Sequence, residues 1–487
     1  MARARRQGEL VYMVYRAMTY GLSPFLYLHL QWRRFKGLEH PLRWPERLGR
    51  PSLPRPPASL IYFHAVSLGE TMAAIPLINH CIKQQPDFNI LMTTTTTSAF
   101  NVIKDRLPAH VIYQFAPLDT PAAVDAFLKY WSPNVVVLLE SELWPNLILG
   151  ASRKGIMLAL LNARVSSRSF KLWSQPLALP LISLMLSKFS LITPLSSEQA
   201  INFQLLRAPP FIINFPGDLK YAVGEVDIPG KESIHIEGLQ LQLANRPVWM
   251  ASSIHEGEEE VMLGVHKELM QIFPDMVTII VPRHPQQQQH IAQSQALPFG
   301  SPEARNHLRA SLTTSSCHLS TTINACFSVS MSVILKALQK EGIDVALRSR
   351  DDKISPHSNI YLVDTLGELR SLYRLTPIAV IGGSFLPGLA GHNLSEAAAA
   401  GCAVLTGYHV GHFSHMVFAM QRANPFSVLQ VSGKRELLEA LSEMFNNHRV
   451  LEARRVAAKQ TFLALSNGIV ANVWNLVHLH LISRQTR

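Results

Sequence analysis

Short apolar runs recur along the chain at 60–66, 89–95, 111–115, 134–139 and 156–161, and segments of helical periodicity separate most of them. A second series follows at 247–252, 277–281, 360–363, 377–381 and 402–405. Runs this apolar fit strands buried on both faces, and strands alternating with helices predict parallel sheets joined by right-handed crossovers. The pattern therefore predicts an α/β protein of two Rossmann-like, doubly wound domains facing a cleft. The first covers 58–230 and the second 245–475.

Three stretches depart from this rhythm. In 1–36, Val11, Val14, Met18, Leu22 and Phe25 fall on one helical face, and Tyr12, Arg16, Thr19 and Ser23 fall on the other. With Arg3, Arg5 and Arg6 before it and Arg33, Arg34 and Lys36 after it, this reads as a membrane-associating helix lying in the headgroup region. A single tilted span and an ordinary core helix are the alternatives. "WSQPLALPLISLMLSKFSLITP", 173–194, carries three prolines and Lys188, so it is a poor span. It reads either as a buried helix leading into a strand or as a hydrophobic surface near an acyl chain. A Ser/Thr-rich excursion at 294–333 has neither period and reads as a disordered insertion. "GRPSLPRPPAS", 49–59, is a proline-rich linker.

The length, 487 residues with 47% apolar and 16% charged, suits two cores and argues against disorder. The net charge of +11 suits a phosphate-rich partner, yet no zinc finger, aromatic RNA-binding motif or basic heptad helix accompanies it. Nucleic acid is therefore not the expected partner. Cys81, Cys317, Cys326 and Cys402 form no CxxC and lie near no His cluster, so they read as free thiols and no metal is expected.

In open parallel sheets, ligands bind outside the carboxyl ends of the strands. Glu70 of "FHAVSLGE" stands there, and it is either a helix-capping carboxylate or a general base. Glu140 and Glu142 of "LLESELWPN" follow another strand and either cap a helix or carry out acid-base or electrostatic work; Asn162, Arg164 and Arg168 end a third, and Lys220 lies in "GDLKY". In the second domain Arg283 and His284 of "VPRHP" directly follow a strand, and an arginine fork suits phosphate. "ASSIHEGEEE" reads as small residues before a well-capped helix. In "VIGGSFLPGLAGHNLSEAAAAG", the turn Gly382, Gly383 and Ser384 lets backbone N–H groups approach an anion, and Asn393 and Glu396 lie three residues apart on one helical face. A purely structural tight turn is the alternative. The stretch is neither a Walker loop nor GxGxxG.

"HAVSLGE", "ESELWPN", "NARVSSRS", "GDLKY", "SSIHEGEEE", "VPRHP", "DTLGEL" and "GGSFLPGLAGHNLSEAAAAG" stand in an order that resembles the 3-deoxy-D-manno-octulosonic acid (Kdo) transferases, inverting glycosyltransferases of GT-B architecture. The resemblance covers nearly all of the chain outside the Ser/Thr-rich excursion. It implies transfer of Kdo from CMP-Kdo, the donor substrate, to a lipid A precursor, without a cofactor. Glu70 is then the base, and Glu140 or Glu142 with Lys220 stabilises the transition state. Arg283 and His284 meet CMP, Leu366, Gly367 and Glu368 border it, and Asn393, Leu394, Ser395 and Glu396 bind its ribose and phosphate region. "HNLSEAA" stands where "HNPLEPA" is usual, keeping the Asn and Glu but not the prolines. "HAVSLGE" and the run from "GLSPF" to "PERLG" look most like plant-type members, which implies mitochondria; otherwise the cytoplasmic face of a bacterial inner membrane is expected. The alternatives are a GT-B enzyme for another activated sugar or acceptor, and a non-catalytic membrane or nucleic-acid-binding protein on the same fold.

Overall fold

A computed structural model of the chain describes residues 2–225, 238–243, 246–283, 338, 345–354, 359–365 and 367–483. The chain forms two units, Met1–Asp227 with Ala464–Arg487, and Ile228–Leu463. The expected excursion at 294–333 lies outside the described residues.

Among the described residues, the first unit holds six parallel strands: β1 (Leu60–His64), β2 (Asn89–Thr94), β3 (Ile112–Phe115), β4 (Val135–Leu139), β5 (Met157–Ala163) and β6 (Leu191–Pro194). They lie in the order β3-β2-β1-β4-β5-β6. The chain winds outward from β1 in one direction and from β4 in the other, which leaves a crevice where these two diverge. Every residue of β1 and β4 is buried, as central strands covered on both faces require.

Helices α1 (Ala2–Gly21), α2 (Ser23–Phe35), α3 (Leu68–Gln84), α4 (Thr97–Ile103), α5 (Pro121–Trp131), α6 (Pro145–Arg153), α7 (Ser167–Trp173), α8 (Leu179–Leu186) and α9 (Ser197–Leu205) accompany this sheet. Five of them start at a hydroxyl: Ser67, Thr96, Thr120, Ser166 and Ser196 each accept a backbone N–H from the first turn of their own helix. These caps place each helix start just beyond the carboxyl edge of a strand. Residues 173–194 resolve into α8, whose Leu181, Ile182, Leu184, Met185 and Leu186 are buried, followed by β6. The buried reading holds for α8 and β6, whereas Leu177 within the stretch and Leu172 just before it are exposed.

The N-terminal helix is oriented by its polar side. Tyr12 and Thr19 are buried against the first unit. Tyr12 joins the core cluster with Val124, Leu128 and Leu181, and α1 packs along α8 with Gly8 against Pro180 and Leu184. The side with the greater apolar character faces out: Val14, Met18, Phe25 and Trp32 are each more than half exposed. Instead of one continuous helix, the chain breaks at Leu22, and Pro24 starts α2 where its missing N–H costs nothing.

Among the described residues, the second unit holds β7 (Val248–Ile254), β8 (Val277–Pro282), β9 (Val345–Leu347), β10 (Ile360–Leu362), β11 (Ile378–Ile381), β12 (Ala403–Thr406) and β13 (Val428–Gln430). They are parallel, in the order β13-β12-β11-β7-β8-β10-β9, and the winding reverses between β7 and β11. The second unit ends at Leu463, within the long helix His448–Ser466. The chain then returns to the first unit, where the helix Ile469–Val477 packs on α3. Residues 464–475, expected in the second domain, thus pack with the first, because their apolar face completes the cover over α3.

Candidate active site

At the crevice between β1 and β4, three carboxylates meet two cations. Glu140 follows β4 with φ +57°, a left-handed conformation that a side chain adopts only when its surroundings enforce it. Its N–H donates to Leu161 O at 2.8 Å, and its own carbonyl accepts from Arg164 N at 3.3 Å, which ties the turn to the end of β5. The buried carboxylate lies 2.5 Å from Lys220 Nζ through Oε1 and 2.8 Å from Arg164 Nε through Oε2. Burial alone pushes this carboxyl up, but Lys220 and Arg164 outweigh it and hold it below the usual range.

Lys220 is itself held. Asp218 Oδ1 accepts the Lys220 N–H at 2.8 Å and Asn162 Nδ2 at 2.7 Å, while Asn162 Oδ1 accepts the Leu219 N–H at 3.1 Å. The strand-end Asn162 thus aims the "GDLKY" segment at Glu140. Arg168 lies on α7 and is exposed.

Glu70 occupies the third position of α3. Ser67 caps the helix by accepting the Glu70 N–H at 3.3 Å, and Glu70 accepts the Ser67 hydroxyl at 2.8 Å and the Val66 N–H at 2.9 Å. This is a variant of the capping box in which the carboxylate takes the N–H of the residue before the cap and the hydroxyl of the cap. The capping reading of Glu70 is therefore correct, and it leaves the base reading open: each carboxylate oxygen has accepted one hydrogen bond and keeps a second lone pair. Burial, then the negative charge of Glu140, raise the Glu70 carboxyl above its ordinary value.

Glu142 has the opposite environment to Glu140. Its Oε2 accepts Trp144 Nε1 at 2.6 Å, and the buried Nε2 of His64 lies 3.8 Å away. Burial and the charge of Glu70 raise Glu142 well above the usual carboxylate range. His64 Nδ1 is paired with Thr93 Oγ1 at 2.8 Å, and its ring stands edge-on to Trp144 with centroids 4.7 Å apart. Burial, then the charge of Arg47, lower His64 to about 3, so the imidazole is neutral. Neighbouring acids whose environments shift them in opposite directions are what general acid-base chemistry requires.

In the second unit the Gly-Gly-Ser turn differs from the expectation. The anion its N–H groups approach is the protein's own: the fully buried Glu258 accepts from Gly383 N at 2.7 Å through Oε2, and from Ser384 N at 2.8 Å and Phe385 N at 2.9 Å through Oε1. It also accepts the His255 N–H at 2.9 Å. Gly382, Gly383 and Ser384 are thus corrected from a phosphate cradle to a braced turn, because Glu258 already takes the Gly383 and Ser384 N–H groups and Gly382 N donates to Ser252 O at 2.8 Å. The turn holds His392 beside His255, with Nε2 atoms 2.7 Å apart. A Cβ on Gly383, where φ is +69°, would lie 2.6 Å from His392 Cδ2.

The other predicted donor-side residues border the same carboxyl edge. Arg283 directly follows β8, and desolvation lowers its guanidinium below the ordinary value. Gly367 adopts φ +96°, and Glu368 is gripped by Arg348 at 2.7 Å and by the Thr365 hydroxyl. Asn393 Oδ1 accepts from Ser395 N at 3.1 Å and Ser395 Oγ at 2.8 Å, Leu394 is buried, and Glu396 lies 3.6 Å from Arg370. His284 and Leu366 lie outside the described residues. Among the described residues, no group of three His, Cys, Asp or Glu side chains is placed to hold a metal. Sequence reasoning named Arg164 only as a strand-end charge, read the Glu258 segment as a helix cap, and assigned no role to His64, Trp144 or Asp218.

Comparison with known proteins places this geometry in context. The family model described as 3-deoxy-D-manno-octulosonic-acid transferase (kdotransferase) matches residues 42–223. A probable mitochondrial 3-deoxy-D-manno-octulosonic acid transferase of Arabidopsis thaliana is 55% identical, over 99% of this chain and 98% of the relative. The 3-deoxy-D-manno-octulosonic acid transferase of Haemophilus influenzae is 26% identical over 88% of each. A crystal structure of a glycosyltransferase from Rickettsia africae shares the fold, with a TM-score of 0.53 at 10% identity over 88% of this chain and 99% of the other.

Proposed function

This chain belongs to the Kdo transferase family of glycosyltransferases, and we propose that it moves Kdo from CMP-Kdo to a lipid A precursor with Glu70 as the base. The observation that carries the assignment is the contrast at one crevice: Glu140 is neutralised by Lys220 and Arg164, while Glu70 beside it is raised by burial and by the Glu140 charge. A raised carboxylate is a better match to a hydroxyl proton near neutral pH than an ordinary one. Glu70 takes the proton of the acceptor hydroxyl as that oxygen bonds to the anomeric carbon, and CMP leaves from the opposite face. One displacement inverts the centre and needs no covalent enzyme intermediate.

Lys220 and Arg164 compensate the carboxylates and supply positive potential where charge develops. In this reading Glu140 fixes the two cations, and Glu142 is the member that burial and the charge of Glu70 make the weaker acid. The donor is assigned to the second unit, with Arg283 and the Asn393–Glu396 segment on the side of the leaving phosphate. No cofactor takes part.

Membrane association through the N-terminus is part of the proposal. Its support is the exposed row of Val14, Met18, Phe25, Leu28 and Trp32, flanked by Arg33 and Arg34. The mitochondrial relative supports the same location for this chain. The assay is Kdo transfer from freshly generated CMP-Kdo to a tetraacylated lipid A precursor, wild type beside Glu70→Gln. Transfer by the wild type and loss of at least about a hundredfold in Glu70→Gln, with CMP binding kept, is the expected result. Equal turnover by both would remove Glu70 from the mechanism.

A further inference from the structure

The "ELWPN" motif supplies Glu142 and Trp144 to the crevice, but Pro145 and Asn146 have no part in the chemistry. They begin α6, and Trp144, the cap residue, offers this helix no side-chain hydrogen bond. The buried donors of the first turn, which have no partner within the helix, are satisfied from elsewhere: Asp119, in the loop before α5, accepts Asn146 N at 3.1 Å through Oδ2 and Leu147 N at 2.9 Å through Oδ1. The Asn146 side-chain amide donates back to Asp119 O at 2.6 Å. A carboxylate at this end of a helix is favoured by the dipole as well.

The same Asp119 Oδ2 accepts the hydroxyl of Tyr15 on α1 at 3.0 Å. Asn146 Nδ2 also reaches Thr19 Oγ1 on α1, at 3.2 Å, and Arg16 pairs with Asp125 on α5 at 2.9 Å. The polar side of α1 is thus fastened to the start of α6, three residues after the acid whose Oε2 the Trp144 indole holds.

We propose that Asp119 is a positioning residue for the transfer reaction, joining α1 through Tyr15 to the start of α6 so that Trp144 presents its indole N–H to Glu142. This rests on the reading of Glu142 as a working acid of the crevice. The latch makes the outward-facing N-terminal helix and the acid loop one mechanical unit. Loosening α1 therefore disturbs turnover more than donor binding.

The test is a cycle of Tyr15→Phe and Trp144→Phe in the full chain, read as kcat and as KM for CMP-Kdo. Tyr15→Phe is expected to lower kcat about fivefold with KM changed less than about twofold, since small misplacements at a catalytic group are costly. In the Trp144→Phe background the same substitution is expected to lower kcat less than about twofold, because its effect passes through the indole. An unchanged kcat in Tyr15→Phe, or an equal loss in both backgrounds, overturns the proposal. If Tyr15→Phe does not fold, Thr19→Val loosens the same latch through Asn146 and is judged by the same criteria. Wild-type turnover by Glu142→Gln would overturn the underlying reading instead, and the proposal with it.

Discussion

Lys220 Nζ lies 2.5 Å from Glu140 Oε1, with both side chains buried and Arg164 on the other carboxylate oxygen. Removing the lysine leaves a buried carboxylate with one cation instead of two, and breaking a buried pair costs about 3 kcal/mol or more. Lys220→Met is expected to lose that much in urea unfolding. Glu140 is depressed in the folded state, so the stability it contributes is present above the unfolded value of about 4.3 and lost as pH falls through the folded one. The acid-unfolding midpoint of Lys220→Met is expected at higher pH than that of the wild type.

The opposite sign holds for Glu142. Its folded-state value is raised, so its favourable contribution is complete below about 4.3 and disappears as pH rises through the folded value. A glutamine resembles the protonated acid at every pH. Glu142→Gln is therefore expected to raise the melting temperature at pH 8 by about 2–4 °C, a gain of about 1 kcal/mol in a unit of this size, and by much less at pH 4. The same variant is expected to lose turnover; melting curves at the two pH values and the transfer assay check both statements.

Glu258 gathers the N–H groups of His255, Gly383, Ser384 and Phe385. Each buried donor left unpaired costs about 1–3 kcal/mol, less where water enters. Glu258→Ala is expected to destabilise the second unit by at least about 3 kcal/mol and to abolish thermal protection by CMP. Glu258→Gln keeps one acceptor oxygen and is expected to fall between the two, which calorimetry with and without CMP would show.

Met18, Phe25 and Trp32 are each more than half exposed. Their joint replacement by serine is expected to change stability by less than about 0.5 kcal/mol per site, since exposed positions contribute little to the fold. Co-sedimentation with anionic vesicles is expected to drop severalfold if these side chains enter the interface. Unchanged sedimentation would separate the helix from the membrane.

The central strands were legible because β1, β4 and their neighbours are continuous apolar runs with Ser or Thr caps beyond several of them. The three-residue edge strands β9 and β13 are not buried throughout, unlike β10 of the same length, and a parallel edge strand needs only a few hydrogen bonds to join the sheet. The side of α1 that packs against the first unit was not legible for a specific reason. Tyr12 and Thr19 look polar in a periodicity analysis, yet the ring of one and the paired hydroxyl of the other suit a buried position. Glu70, Glu140, Glu142 and Lys220 were placed by strand ends and motifs. Glu258 is not legible as the partner of a turn 125 residues later, because that pairing exists only once β7 and β11 are adjacent.

The order in which these segments are synthesised also has consequences for how the protein is made. Ile469 lies against Gly217 and Trp474 beside His80 on α3, the helix whose first turn holds Glu70. A ribosome therefore releases the whole second unit before the chain that finishes the first becomes available. Until then the nascent first unit exposes an apolar surface on α3, which makes it a client for chaperones during synthesis and during any passage across a membrane.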